Sequence, residues 1–170
     1  MPGAGKSTIA EGLRKRGYSV FNMGDAIRAE AKRLQIKPTR GNLAKIMLAL
    51  REKHGPGVVA QLIKQKAIDS SGTTIIDGIR SNHEVEVLRA CGRLKLLAVH
   101  ASTETRFALV HKRRRTDDPN TKEEFQERDR RELNVGISDP IALADESISN
   151  NNIDIDGLIQ TAEQIIRSWE

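Results

Sequence analysis

Apolar residues recur three and four positions apart along most of this chain, interrupted by short unbroken runs of β-branched and aliphatic residues. The first pattern predicts helices with one buried face, the second strands buried on both faces. Residues 8–16 place Ile9 and Leu13 four apart and stop at Gly17, which predicts a short amphipathic helix. The run YSVFNM (18–23) predicts a strand ending in Gly24-Asp25, and AIRAEAKRLQ (26–35) resumes helical spacing up to the break IKPTRG. Two more helices follow, one with Leu43, Ile46, Met47 and Leu50 at helical spacing, the other over residues 58–69, with HGPG between them.

Ser70-Ser71-Gly72 is a turn, and TTIID (73–77), bounded by Gly78, has the composition of a buried parallel strand. A helix over HEVEVLRACG leads to LKLLAVHA, a further buried strand. From Ser102 a helix runs into KRRR, TDDPNT interrupts it, and Thr121 with Glu124 has the spacing of a capping box for a second helix through Leu133. GISDP reads as a loop, ESIS (146–149) as a weak strand and DGLIQTAEQIIRSW as a closing amphipathic helix. Four strands, around Val20, Ile75, Leu97 and Ile148, alternate with helical segments, so the expected fold is α/β, a parallel sheet flanked by helices.

A length of 170 residues suits one domain. Aromatic residues make up only 3% of the chain, which argues against a base-stacking platform for RNA. The net charge of +5 points to anionic partners, and the arginines that carry it are unevenly spread. Cys91 has no cysteine partner within the chain and reads as a packing residue, which fits a reducing, cytoplasmic setting. The residues show neither a membrane-length apolar run nor a signal peptide, and the histidines show no zinc-ligand spacing.

The chemistry is concentrated in MPGAGKST at residues 1–8. A phosphate loop turns successive backbone N–H groups around an anion and needs glycine where φ is positive. Gly3 and Gly5 supply that freedom around Ala4, Lys6 reaches phosphate oxygens, the Ser7 hydroxyl suits Mg²⁺, and Thr8 lies at the positive end of the following helix. The expected cofactors are therefore ATP and Mg²⁺. In the full Walker pattern G-x-x-x-x-G-K-[ST], the first glycine falls one residue before Met1, and the strand that normally precedes the loop is missing from the pattern. The expectation is a late start site within the loop and a sheet short of its first strand.

No strand run ends in an Asp-Glu pair of the AAA or ABC type, and no Asn-Lys-x-Asp motif is present, so motor and GTPase readings fall away. Met23-Gly24-Asp25-Ala26-Ile27-Arg28, Asp77-Gly78-Ile79-Arg80 and a late arginine-rich hairpin stand instead. This trio resembles the P-loop nucleoside monophosphate kinases and the related dephospho-coenzyme A kinases, and within that group the archaeal adenylate-kinase-related nucleotide kinases. The resemblance implies a single P-loop kinase-like domain over 1–170, with a helical acceptor-binding insertion at 26–72 and a lid-like hairpin at 106–135. It also implies Arg28 and Arg80 on the acceptor's phosphate, and Ala144 to Asn151 as the last strand and adenine-side loop, with Asn150 toward the nucleotide.

Arg113, Arg114 and Arg115 precede Asp117-Asp118, and Arg128 and Arg131 share a helix face on which they can close over transferred phosphate. Arg113 is assigned to the nucleotide and Arg128 and Arg131 to catalysis, whereas Arg106 reads as a helix-surface charge and Asp117 and Asp118 as salt-bridge partners. Asp25 and Asp77 fall where parallel strands end, the edge that faces ligand. A phosphate acceptor requires no base. A hydroxyl acceptor requires a carboxylate, and Asp25 occupies the place that the resemblance to dephospho-coenzyme A kinases gives it. Asp77 reads as ordering Mg²⁺-bound water or the acceptor loop, and helix capping stays open for both aspartates.

The resulting expectation is a phosphotransferase that moves the γ-phosphate of ATP to a small nucleotide or nucleotide-like acceptor. A nucleotide-binding regulatory or RNA-associated protein without turnover is the alternative of a different class, since a fold does not fix a function. The residue types leave the acceptor's base, ATP against GTP and the number of assembled chains open.

Overall fold

Two pairs of parallel strands carry the architecture. In the computed structural model, which describes residues 1–113 and 118–170 (Arg40 and Arg113 by backbone only), β1 (Ser19–Asn22) pairs with β2 (Thr74–Asp77), Ser19 opposite Thr74 and Asn22 opposite Asp77. The second pair is β3 (Leu97–His100) with β4 (Glu146–Ser149), Leu97 opposite Glu146 and His100 opposite Ser149. Parallel neighbours require crossovers, and helices supply them. They are α1 (Lys6–Lys15), α2 (Met23–Arg33), α3 (Arg40–His54), α4 (Val58–Ile68), α5 (Asn82–Arg89), α6 (Thr103–Arg113), α7 (Lys122–Val135), α8 (Ser138–Ala142) and α9 (Ile155–Trp169).

Alternation along β2 divides the interior. Ile75 packs into a core built from Ile9 and Leu13 of α1, Val99, Ile148 and Ala162 of α9, whereas Ile76 packs into a second core formed by Met23 and Ile27 of α2, Ile46, Val59 and Leu88. Successive side chains of a strand point to opposite faces, so a strand covered on both faces has no polar positions to spare. The β-branched run at 73–77 has that composition.

Several boundaries move for local reasons. α1 begins at Lys6, two residues earlier than its apolar spacing predicts, because Gly5 takes the N-cap with φ +103°. α2 begins at Met23, so Gly24-Asp25 is its first turn and not a strand end: the Asn22 side chain accepts a hydrogen bond from the Gly24 N–H at 2.8 Å and caps it. The loop expected at GISDP is the helix α8. Pro140 stands in its first turn, where a missing N–H costs no intrahelical bond, and Asp139 lies at the end that favours negative charge. Thr121 caps α7 as its spacing predicts, accepting from the Glu124 N–H at 3.2 Å, while the Glu124 carboxylate reaches the Asn120 N–H at 2.8 Å. Cys91 is half-buried, with Sγ 3.6 Å from the Val87 carbonyl. Among the described residues no helix is long and apolar enough to cross a membrane.

The sharpest packing constraint lies between α1 and α9. A Cβ at Gly12 would stand 2.4 Å from Ile159 Cδ1 and 2.8 Å from its Cγ2, so the two helices approach through a position that tolerates only hydrogen. Gly12→Val is therefore expected to destabilise the fold by about 1–3 kcal/mol through overpacking. Urea unfolding should show a lower midpoint with an unchanged slope.

Candidate functional site: a phosphate loop beside an arginine-rimmed cavity

The loop before α1 has an anion cradle's backbone. Gly3 (φ +81°) and Gly5 (φ +103°) take the left-handed conformations expected of them, and among the described residues the N–H groups of residues 3–7 make no backbone hydrogen bond. Two distant elements press on the loop. A Cβ at Gly3 would meet Val110 Cγ2 at 2.8 Å and the Arg106 carbonyl oxygen at 2.9 Å, and one at Gly5 would meet Asn150 Nδ2 at 2.5 Å. The same neighbours hold the loop by hydrogen bonds: Arg106 Nη1 donates to the Pro2 carbonyl and Asn150 Nδ2 to the Ala4 carbonyl, both at 3.0 Å. Asn150, assigned to the nucleotide from the sequence, thus lines the cleft but spends its amide on the loop itself.

Lys6 turns back across the loop, donating from Nζ to the Met1 carbonyl at 2.8 Å. Burial pushes its ammonium below the ordinary lysine value; Asp77 and Glu132 oppose that shift, and Arg80 and Arg106 add to it. Ser7 Oγ donates to Asp77 Oδ2 at 3.3 Å, and Asn22 Nδ2 donates to the same oxygen at 2.8 Å. Asp77 is buried at the end of β2, and its carboxylate with the Ser7 hydroxyl makes a hard-oxygen pair that fits Mg²⁺. Neither Asp77 nor Asp25 caps a helix; Asn22 does, a role the sequence reading missed although Asn one residue before a helical run is a start signal.

Two cavities open from this point. One, of about 740 Å³ and therefore within the range of small-molecule sites, runs over Gly3, Gly5, Lys6, Ser7 and Thr8 toward Leu109, Asn150 and Ile155. The other, of about 170 Å³, is walled by α2, α3, α4 and α7 and floored by Ile27, Leu43, Met47, Val59 and Val135. Arg28, Arg80, Arg128 and Glu132 line both, together with Gly24 and Gly78. Side chains from α2, the β2–α5 loop and α7 thereby meet where the two spaces join.

The arginines at this junction are held by carboxylates. Arg28 Nε donates to Asp25 at 3.0 Å, Arg80 Nη1 lies 2.8 Å from Glu132 Oε1, and Arg128 Nη1 lies 3.4 Å from Asp118. Asp25, with a side chain 64% exposed, lines neither cavity. Arg131 lines the smaller cavity and donates from Nε to the Glu127 carbonyl at 3.5 Å. Deeper in, Arg51 Nη2 pairs with the fully buried Glu84 at 2.8 Å, and the second Glu84 oxygen accepts the Arg80 N–H at 2.7 Å. Arg51, Glu84 and Glu132 escaped the sequence reading. Ser81-x-x-Glu84 carries a capping-box spacing that marks Glu84, but nothing local distinguishes Arg51 from a solvated charge.

Arg106 corrects an expectation. It is no surface charge: only 5% exposed, it makes a two-bond pair with Asp129 of α7 (2.9 and 2.6 Å) and lies 5.0 Å from the Phe125 ring centre. One guanidinium therefore ties Pro2 in the loop to the second helix of the hairpin. The side chain of Arg113 and residues Arg114, Arg115 and Asp117, also assigned from the sequence, lie outside the described residues.

This loop, sheet and helical surround define a P-loop domain. A profile described as AAA domain matches residues 1–126. The match takes in the phosphate loop, the β1–β2 pair and β3, and ends before β4. The chain belongs to the UPF0200 family: it is 44% identical over 151 residues to a UPF0200 protein of Hyperthermus butylicus (88% of this chain, 81% of the relative). It is likewise 44% identical over 156 residues to one of Pyrococcus furiosus (88% and 84%). Among solved structures, an unliganded sugar kinase from Janibacter sp. HTCC2649 superposes with a TM-score of 0.55 at 18% identity, over 97% of this chain and 89% of that one, and shares the fold.

Two outcomes test the site. Arg106→Ala strands Asp129 beside the loop and should cost on the order of 3–5 kcal/mol, as removal of one partner of a buried ion pair does; a cycle with Asp129→Asn should show strong coupling. For Lys6, burial favours the neutral form in the free protein, whereas a bound polyphosphate favours the ammonium. Between the lowered value and the ordinary 10.5, binding of a nucleoside triphosphate should take up a proton. Titration calorimetry in buffers of different ionisation enthalpy measures that uptake, and a heat independent of buffer contradicts it.

Proposed function

We propose that this protein is an ATP-dependent phosphotransferase that moves the γ-phosphate to a nucleotide or nucleotide-like acceptor. The observation that carries the reading is the junction: the cleft over the phosphate loop and the cavity floored by α2, α3 and α4 share Arg28, Arg80 and Arg128. Phosphoryl transfer demands alignment and charge neutralisation more than covalent chemistry, and three guanidinium groups between donor and acceptor spaces meet that demand.

In this reading Lys6 and the free N–H groups of the loop hold the β- and γ-phosphates. Ser7 and Asp77 hold Mg²⁺, which when bound neutralises charge on the phosphate oxygens. Arg28 and Arg80 hold the acceptor's anionic group, and Arg128 and Arg131 close from α7 onto the transferred group. An acceptor oxygen attacks the γ-phosphorus, the bond to the bridging oxygen breaks, and ADP leaves with the electron pair. A phosphate acceptor is favoured over a hydroxyl one because Asp25, the carboxylate that would take a hydroxyl proton, is exposed, paired with Arg28 and outside both cavities. The cytoplasm, where ATP is plentiful, is the matching compartment.

The test is incubation with ATP, Mg²⁺ and a panel of nucleoside monophosphates, with dephospho-coenzyme A and hexoses as hydroxyl acceptors, products resolved by chromatography. Acceptor-dependent ADP is expected, and Lys6→Ala should reduce it by on the order of a hundredfold or more. A folded protein that makes no acceptor-dependent ADP overturns the proposal. Salt-steep RNA binding that survives Lys6→Ala would instead support the nucleic-acid reading.

A further inference from the structure

A carboxylate is out of place in a site for anions, yet Glu132 of α7 lines both cavities among the guanidinium groups of the junction. It is only 6% exposed, and its two oxygens are used unequally. Oε1 lies 2.8 Å from Arg80 Nη1, whereas Oε2 is buried and, among the described residues, has no hydrogen-bond partner. Thr74 Oγ1 and Ser81 Oγ are likewise buried without a partner, but they are neutral hydroxyls outside both cavities. An unmade hydrogen bond costs more on a charged group than on a neutral one. That cost is recovered when a bound ligand supplies the missing donor.

The neighbours of Glu132 narrow down what that donor is. An anion oxygen held by the Arg80 guanidinium shares it with Glu132 Oε1 and so lies beside the carboxylate. Two oxyanions in contact repel, and away from water they are accommodated when a proton lies between them. As the carboxylate partner of Arg80, Glu132 offers acceptor oxygens only, so the proton comes with the ligand, on an oxygen of its own anionic group. Phosphate can meet this demand, because its second pKa of about 6 leaves a protonated oxygen within reach of neutral pH. Sulfate carries no proton there.

We propose that Glu132 is a specificity-determining residue of the acceptor site: its Oε2 accepts a hydrogen bond from a protonated oxygen of the ligand's anionic group, so that the junction selects protonated phosphate over proton-free anions of the same shape and charge. The proposal rests on the reading that Arg28 and Arg80 hold the acceptor's anion. The guanidinium groups attract every anion, and the carboxylate adds a penalty against those that lack the proton. A site built to bond a hydroxyl rejects the analogue without one because its own acceptor is then left unpaired. The selection acts on binding, and no proton has to leave the ligand.

Inorganic anions test it. At a pH about two units above the second phosphate pKa of about 6, hydrogen phosphate, monofluorophosphate and sulfate are all tetrahedral dianions, and only the first carries a proton. Each is titrated calorimetrically with the loop filled by Mg²⁺ and the ATP analogue that has nitrogen between its β- and γ-phosphorus. The analogue's own binding is measured first, so a failed donor site is recorded separately, and the part of anion binding lost in Arg28→Ala is the part that belongs to the junction. Hydrogen phosphate should bind about tenfold or more tighter than either proton-free anion, and Glu132→Gln, whose amide donates as well as accepts, should bring the three within about threefold. The wild-type comparison decides the matter by itself should that variant not fold. Equal binding of the three anions to the wild-type chain, a preference that survives Glu132→Gln, or an absence of Arg28-dependent phosphate binding overturns the proposal. Acceptor-dependent ADP formation alongside equal anion binding removes this proposal and leaves the phosphotransferase standing.

Discussion

The geometry of this protein rests on the conformation of five residues ahead of α1, which no local force could hold. Gly3 and Gly5 adopt positive φ where a Cβ would also collide with Val110 and the Arg106 carbonyl of α6 and with the Asn150 side chain just after β4. The Arg106 guanidinium and the Asn150 amide satisfy the loop's carbonyls, and its N–H groups are left without a backbone partner among the described residues. A cradle for an anion is a concentration of unpaired donors, and it persists only if the surroundings fix it before the anion arrives. Here two residues more than 100 positions away in sequence do so.

The readable parts were those with a local cause. Four strands and the helices between them follow from spacing and from β-branched runs, and Gly3, Gly5, Lys6 and Ser7 stand in a motif whose geometry is encoded over eight residues. That Arg28 and Arg80 line the cavities was foreshadowed by their closeness to the C-terminal ends of β1 and β2, the edge where parallel sheets present ligand sites, Arg28 in the second turn of α2 and Arg80 in the loop after β2. The α8 helix was obscured by Gly136 and Pro140, two turn residues that here end one helix and begin the next.

What escaped was reciprocal. Arg106 looks like any helical charge until Asp129 and Pro2 arrive from either side, and Arg51 is one of several basic residues near the end of α3 until α5 delivers Glu84 beneath it. Burial of a charge is decided by a partner, and the partners lie 23 and 33 positions away. Sequence spacing reports which residues share a helix face but not which second helix will cover that face.

The pairing of the junction arginines changes the electrostatic character of the site. Arg28, Arg80 and Arg128 are not bare positive charges but members of pairs with Asp25, Glu132 and Asp118. Each guanidinium faces a carboxylate of its own, on the same helix for Arg28 and on another segment for Arg80 and Arg128. The crevice where the two cavities meet is therefore nearly charge-balanced, and its local field is far weaker than its number of arginines suggests.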